Sequence, residues 1–166
     1  MPATYEPIAT TTLGSAQNGI EFTSISQAYT DLIVVFAGSS SGTTQYFMQL
    51  GNGTLDTGSN YSTTVLDGNG SSAASARYTN DTVGIRADYY ATAGGNQKNT
   101  IFQIQNYSNT TTYKTTLVRS NLPASEVVAL VGLWRSTSAV NRLKVYNSSG
   151  NFEVGSSVTL YGIKAA

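Results

Sequence analysis

Nine carboxylates, with no histidine and no cysteine beside them, are the groups in this 166-residue chain from which an active site could be assembled. Without those two residue types a Ser-His-Asp triad, a thiol nucleophile and nearly every transition-metal ligand set are excluded. Glycoside hydrolysis would remain open, because it needs only two carboxylates at a set separation. The candidates Glu6, Glu21, Asp31, Asp56, Asp67, Asp81, Asp88, Glu126 and Glu153 are spread singly along the chain, mostly at strand ends or turns. Solvation and capping account for such placements, so the chain reads as non-enzymatic, with no cofactor and no metal.

Asp67-Gly68-Asn69-Gly70 has the look of the start of a calcium loop, but no bidentate Glu follows at the spacing such loops use, and the segment reads as a turn. The other Gly-rich stretches lack the Lys and the following helix of a phosphate loop. Triplets such as Asn60-Tyr61-Ser62 reflect a composition rich in Asn, Ser and Thr rather than glycosylation sites.

Eleven Tyr, five Phe and one Trp are the remaining groups that could make a binding surface, since aromatics anchor interfaces or stack on sugars. Adjacent residues on a strand face opposite ways, so Tyr89-Tyr90 and Trp134-Arg135 are each expected to put one member inside and one outside. Pro2 and Pro7 bracket a segment that cannot donate fully to a sheet, which makes residues 1–12 an extended arm or edge segment. Pro2, Tyr5, Tyr89, Tyr90, Trp134 and Arg135 are therefore the candidate interface residues.

The elements that must carry these residues are strands. Helical periodicity is nearly absent, while β-branched and aromatic runs alternate with Gly, Asn, Asp and Ser clusters. Strands are expected over 19–25, 30–37, 43–50, 60–66, 82–90, 98–107, 113–120, 126–135, 140–146 and 157–164, with the low-complexity stretch 68–76 as a loop. Ten strands without helices predict an all-β single domain, a two-sheet antiparallel sandwich with jelly-roll connectivity. In the strand ending at Tyr146, Leu143 and Val145 share one face and Arg142 and Lys144 the other, as in a sheet with one wet side. Leu32 to Phe36 and Val127 to Trp134 are apolar on both faces. Something must cover the second face, either a neighbouring subunit or a loop of the same chain.

Charged residues are only 11% of the chain, against about a quarter in ordinary globular proteins. A formal net charge of +0 with scattered basic residues argues against nucleic acid or an anionic membrane as partner. So little charge also favours association over an isolated monomer. The first basic residue is Arg77, so the amino terminus has no secretory pattern, and synthesis in a cytoplasm is expected.

Ala3 to Ala9, Ala28 to Leu32, Asn106 to Lys114, Val131 to Arg135 and Thr159 to Ile163 together resemble the small β-sandwich structural proteins of tailed phages, notably those of cyanobacteria and other aquatic hosts. The resemblance implies a non-enzymatic virion component, often a homotrimer, bound as a decoration or cement protein to the major capsid protein on the particle surface. Related domains in tail fibres imply the alternative, a module that recognises a host surface glycan. No heptad region or repeat suggests a fibre shaft, which favours the capsid role.

Overall fold

A computed structural model describes residues 4–89, 93–123 and 125–164. Thirteen strands, β1 (Tyr5–Thr12), β2 (Gly19–Phe22), β3 (Asp31–Gly38), β4 (Tyr46–Asn52), β5 (Thr54–Leu55), β6 (Tyr61–Gly68), β7 (Ala73–Asp81), β8 (Ile85–Arg86), β9 (Lys98–Gln105), β10 (Lys114–Leu122), β11 (Glu126–Trp134), β12 (Arg142–Asn147) and β13 (Ser157–Ile163), form two antiparallel sheets. The larger runs β1-β13-β3-β9-β10-β11-β6-β7; the smaller runs β2-β12-β4-β5, with β8 also on β4. The chain crosses repeatedly between sheets, giving the expected all-β, jelly-roll-like sandwich.

The core follows from register. Across the large sheet Leu160, Val34, Phe102, Val118, Leu130 and Val65 stand side by side in one inward row. Ile20, Val145, Met48 and Ile85 form the facing row of the small sheet. All ten are buried. Removing such side chains from water is the main term favouring the fold. The strand with one expected wet side behaves so: Leu143 and Val145 are buried, while Arg142 and Lys144 look outward beside Glu21 and Gln49.

Two segments differ from the sequence reading. Residues 73–81, largely inside or next to the stretch read as a loop, are edge strand β7, paired to β6. Their run of Ala and Ser lacks β-branched character, so the pairing to β6 rather than local propensity makes them a strand. The strand expected over 82–90 shrinks to Ile85–Arg86. Gly84 takes φ +113°, and a Cβ there would come within 2.5 Å of the Met48 carbonyl oxygen, so the chain bends at this point to leave the large sheet for the small one. The amino-terminal segment runs along its own sandwich as edge strand β1, with a register shift between Pro7 and Ala9 that blunts the edge against further pairing.

At Gly51 the β4–β5 hairpin closes so tightly that an added Cβ would lie 1.9 Å from the Thr54 carbonyl oxygen. Because the obstacle is backbone, Gly51→Ala is expected to cost about 2 kcal/mol of stability, read as a lower urea midpoint with an unchanged slope.

Candidate functional site

The two doubly apolar strands resolve differently. On β3 the outward Ile33 sits between Tyr161 and Gln103 of the same sheet and is buried. On β11 the outward Val127, Ala129 and Val131 stay open, with Val127 65% exposed. Neighbours in register extend this field: Leu66 (60% exposed) beside Ala129, Leu117 (46%) beside Val131, and Ile101 across Arg119 from Ala129. Shallow depressions follow it, one lined by Leu66, Gly68, Ala73, Val127 and Ala129, another by Ile101, Gln103, Leu117 and Arg119.

Arg119 stands exposed in the middle of this face with no ion pair among the described residues. Asn99 and Asn121 flank it one row away. Between β9 and β6 the apolar rows carry no aromatic ring; Tyr161 lies on the same face beyond Ile33. A surface of Leu, Val, Ile and Ala can exclude water from a dry contact, but it offers a sugar no ring to stack on.

The sequence-derived interface residues sit elsewhere. Pro2 and Tyr90 lie outside the described residues. Tyr5 is on the outermost strand, opposite Ile163 and 58% exposed. Tyr89 is half-buried against the core and lies on no strand, which corrects the strand placement expected for it. Trp134 is 2% exposed and its indole N–H donates to Asp56 Oδ2 at 2.7 Å, so the anchor reading for it is corrected to an interior one. Arg135 is half-buried and works inside the molecule. Its guanidinium donates to the Ser62 hydroxyl, to the Ser59 and Tyr61 carbonyls at 2.8 and 3.2 Å, and to Asn80 Oδ1 at 3.0 Å. Trp134 and Arg135 thus tie the end of β11 to the 56–62 segment, apart from Tyr5 and Tyr89. Leu66 and Leu117 went unnamed, although Val65-Leu66 and Leu117-Val118 each force one apolar side chain outward on a strand.

The carboxylates are distributed among structural tasks. Glu6 pairs with Lys164, Glu21 with Arg142 and Asp81 with Arg86. Asp31 accepts the Asn106 N–H, and Glu153 the Ser39 hydroxyl. Asp67 turns inward, buried, while Asn69 Oδ1 accepts the N–H groups of Ser71 and Ser72 to shape the hairpin turn after it. Asp88 and Glu126 meet at Lys98, between the sheets, at 3.0 and 3.5 Å from its Nζ. Burial pushes the Asp88 carboxyl up to about 6 against the opposing pull of Lys98.

No family model and no curated protein matches the chain. Among solved structures it has likeness to an exo-inulinase from Aspergillus awamori, at 12% identity and a TM-score of 0.45, covering 96% of this chain and 29% of that one. The chain therefore spans less than a third of the inulinase. CG-16, a homodimeric agglutinin from chicken liver, is 14% identical with a TM-score of 0.39, over 86% of this chain and 98% of the agglutinin. A mutant of the alginate lyase Aly36B in complex with an alginate tetrasaccharide is 11% identical with a TM-score of 0.35, over 89% of this chain and 81% of that one. Likeness at this level carries no argument about activity.

Asp56 gives the Trp134 end of β11, away from the apolar field, a pH signature. Burial raises its pKa, but hydrogen bonds from the Trp134 indole, the Gly58 N–H and the Asn60 amide outweigh that and hold it below the ordinary 3.8. A carboxylate depressed in the folded state adds stability that is present above its unfolded value and is lost as pH falls through the folded one. Stability is therefore expected to drop below about pH 4, with a matching change in the fluorescence of Trp134, the single tryptophan. Asp56→Ala should cost about 2 kcal/mol, the scale of a hydrogen bond to a charged group, and remove that part of the acid transition.

Proposed function

We propose that the protein is a non-enzymatic structural component of a phage particle, a decoration protein that binds the outer surface of the capsid as a homotrimer and bridges its subunits. The observation that carries the reading is the open apolar field on β6, β11, β10 and β9. Its composition suits a protein contact, and its low charge suits a neutral, hydroxyl-rich partner surface. The phage assignment rests on the sequence resemblance, and the binding mode on this face.

Size supports attachment through many copies. From β6 to β9 is three inter-strand gaps, about 14 Å, and Val127 to Val131 is about 14 Å along the strand. That is well short of the roughly 800 Å² per partner of a stable one-to-one interface. A patch this small holds when several copies engage together, because linked weak contacts multiply. The decoration of a repeating shell supplies that multiplicity.

The double variant Leu66→Asp, Val131→Asp tests the face. It should weaken self-association or capsid retention by about 100-fold or more, since a carboxylate buried without a partner costs several kcal/mol. The thermal midpoint should hardly move, because both positions are exposed. Sedimentation equilibrium and copy number per purified particle, by quantitative mass spectrometry, read the two effects. Unchanged assembly in the variant overturns the choice of face. A handful of wild-type copies per particle overturns the capsid role and transfers the protein to the tail, with glycan binding as its function.

A further inference from the structure

Lys98, Asp88 and Glu126 are three ionisable side chains gathered where water is excluded. The first two have fully buried side chains and the third is 8% exposed. Lys98 Nζ lies 3.0 Å from Asp88 Oδ2 and 3.5 Å from Glu126 Oε1, and 5.3 Å from the centre of the Tyr46 ring. That ring packs edge-on against Phe36 and Phe152, so one side of the pair is apolar. The Tyr46 N–H donates to Asp88 Oδ2 at 3.2 Å, while Asp88 Oδ1 and Glu126 Oε1 accept no hydrogen bond among the described residues.

An amine and a carboxylic acid held in contact and shielded from water are the reactants of an amide bond. We propose that Lys98 and Asp88 condense spontaneously into an intramolecular isopeptide bond, with Glu126 carrying the proton. The step begins when Glu126 takes a proton from the Lys98 ammonium and passes it to Asp88 Oδ1, giving a neutral amine and a neutral acid with its hydrogen on Oδ1. The raised pKa of Asp88 makes the acid form accessible near neutral pH. Nζ then attacks Asp88 Cγ and the C–N bond forms. Oδ2, held by the Tyr46 N–H, takes the developing negative charge. Glu126 removes one proton from Nζ and returns it to Oδ1, whose bond to Cγ breaks, and one water leaves. Oδ2 becomes the amide carbonyl. Atoms and protons balance without oxidant, metal or co-reactant, and holding the two groups in contact replaces a very high concentration of either.

The bond would join different sheets. Asp88 follows β8, which pairs with β4 of the small sheet, whereas Lys98 opens β9 of the large one. The loop between them would become a closed ring, fastening one end of the sandwich covalently in a chain with no cysteine.

The intact mass of the purified full chain is the test. The wild type should be lighter than its sequence by one water. Trypsin should fail to cut after Lys98 and leave residues 87–114 as one peptide, also lighter by one water, in place of separate peptides 87–98 and 99–114. Glu126→Gln should slow the bond by about 100-fold or more, the usual scale for loss of a general base. Lys98→Met should keep its full mass, which separates this reaction from dehydration at Asp67-Gly68. Full mass in the aged wild type, or a water loss that persists in Lys98→Met, overturns the proposal. A Glu126→Gln chain that condenses as fast as wild type overturns the part given to Glu126.

Discussion

One lysine placed between the sheets decides how an end of this sandwich is built. A buried ammonium is tolerated only if opposite charge and hydrogen-bond acceptors are brought to it. Asp88 and Glu126 meet that demand, and each imposes something on the backbone. Glu126 has to be the first inward residue of β11, which fixes the parity of that strand: Val128, Leu130 and Trp134 follow it into the core, and Val127, Ala129 and Val131 are left outside. Asp88 has to come from the small sheet, so the chain after β7 must leave the large one. The chain bends at Gly84, and Ile85 and Arg86 pair with β4 just before Asp88. The open apolar field and the short strand β8 thus each adjoin a carboxylate that neutralises Lys98.

Elsewhere the sheets are joined by side chains that carry a polar atom on a large apolar body. The Tyr61 hydroxyl accepts the Leu50 N–H and lies 3.0 Å from the carbonyls of Leu50 and Asp56. Trp134 reaches Asp56 from the other sheet. Lys114 is buried too, its Nζ donating to the Thr112 and Thr137 carbonyls at 2.8 and 3.2 Å, and burial lowers its pKa. Each fills core volume and satisfies a buried polar group that would otherwise destabilise the fold. A chain without disulfides has to close its core by such means.

Nine of the ten expected strands lie where alternation and turn residues put them, because each has an inward row of large side chains whose burial is local information. What went unseen is the part decided by partners. Residues 73–76 are small, with Tyr78 the one large apolar body that follows, and pairing to the edge of β6 makes 73–81 a strand. For Trp134 the sequence leaves open both a core residue with a bonded indole N–H and an interface anchor, and Asp56, 78 residues away, takes that N–H and decides for the core. The exposed Leu66 and Leu117 were legible as adjacent apolar pairs, but the direction in which each pair splits is set by register with β11, which no single strand reveals. The meeting of Asp88, Lys98 and Glu126 depends on bringing together the end of β8 and the starts of β9 and β11, and leaves no spacing signature.

The buried cluster and the exposed face are the two sides of one strand end. Glu126 points to Lys98 and the next residue, Val127, is the most exposed member of the apolar field. The depression between the 68–70 and 123–127 turns is lined by both. A docking surface loses less entropy on binding when its backbone is already fixed, and here the strand that presents the face is fixed from behind by an ion cluster spanning both sheets. A loose strand end would let Val127 and Leu66 shift relative to one another, and a patch only four strands wide has no area in reserve to absorb that loss. Arg119, without an ion pair among the described residues, adds a charge within the field that would orient a partner which apolar contact alone would let slide. Rigidity behind the sheet, apolar area in front of it and a cation within it are the properties that repeated, weak and geometrically defined contacts would draw on.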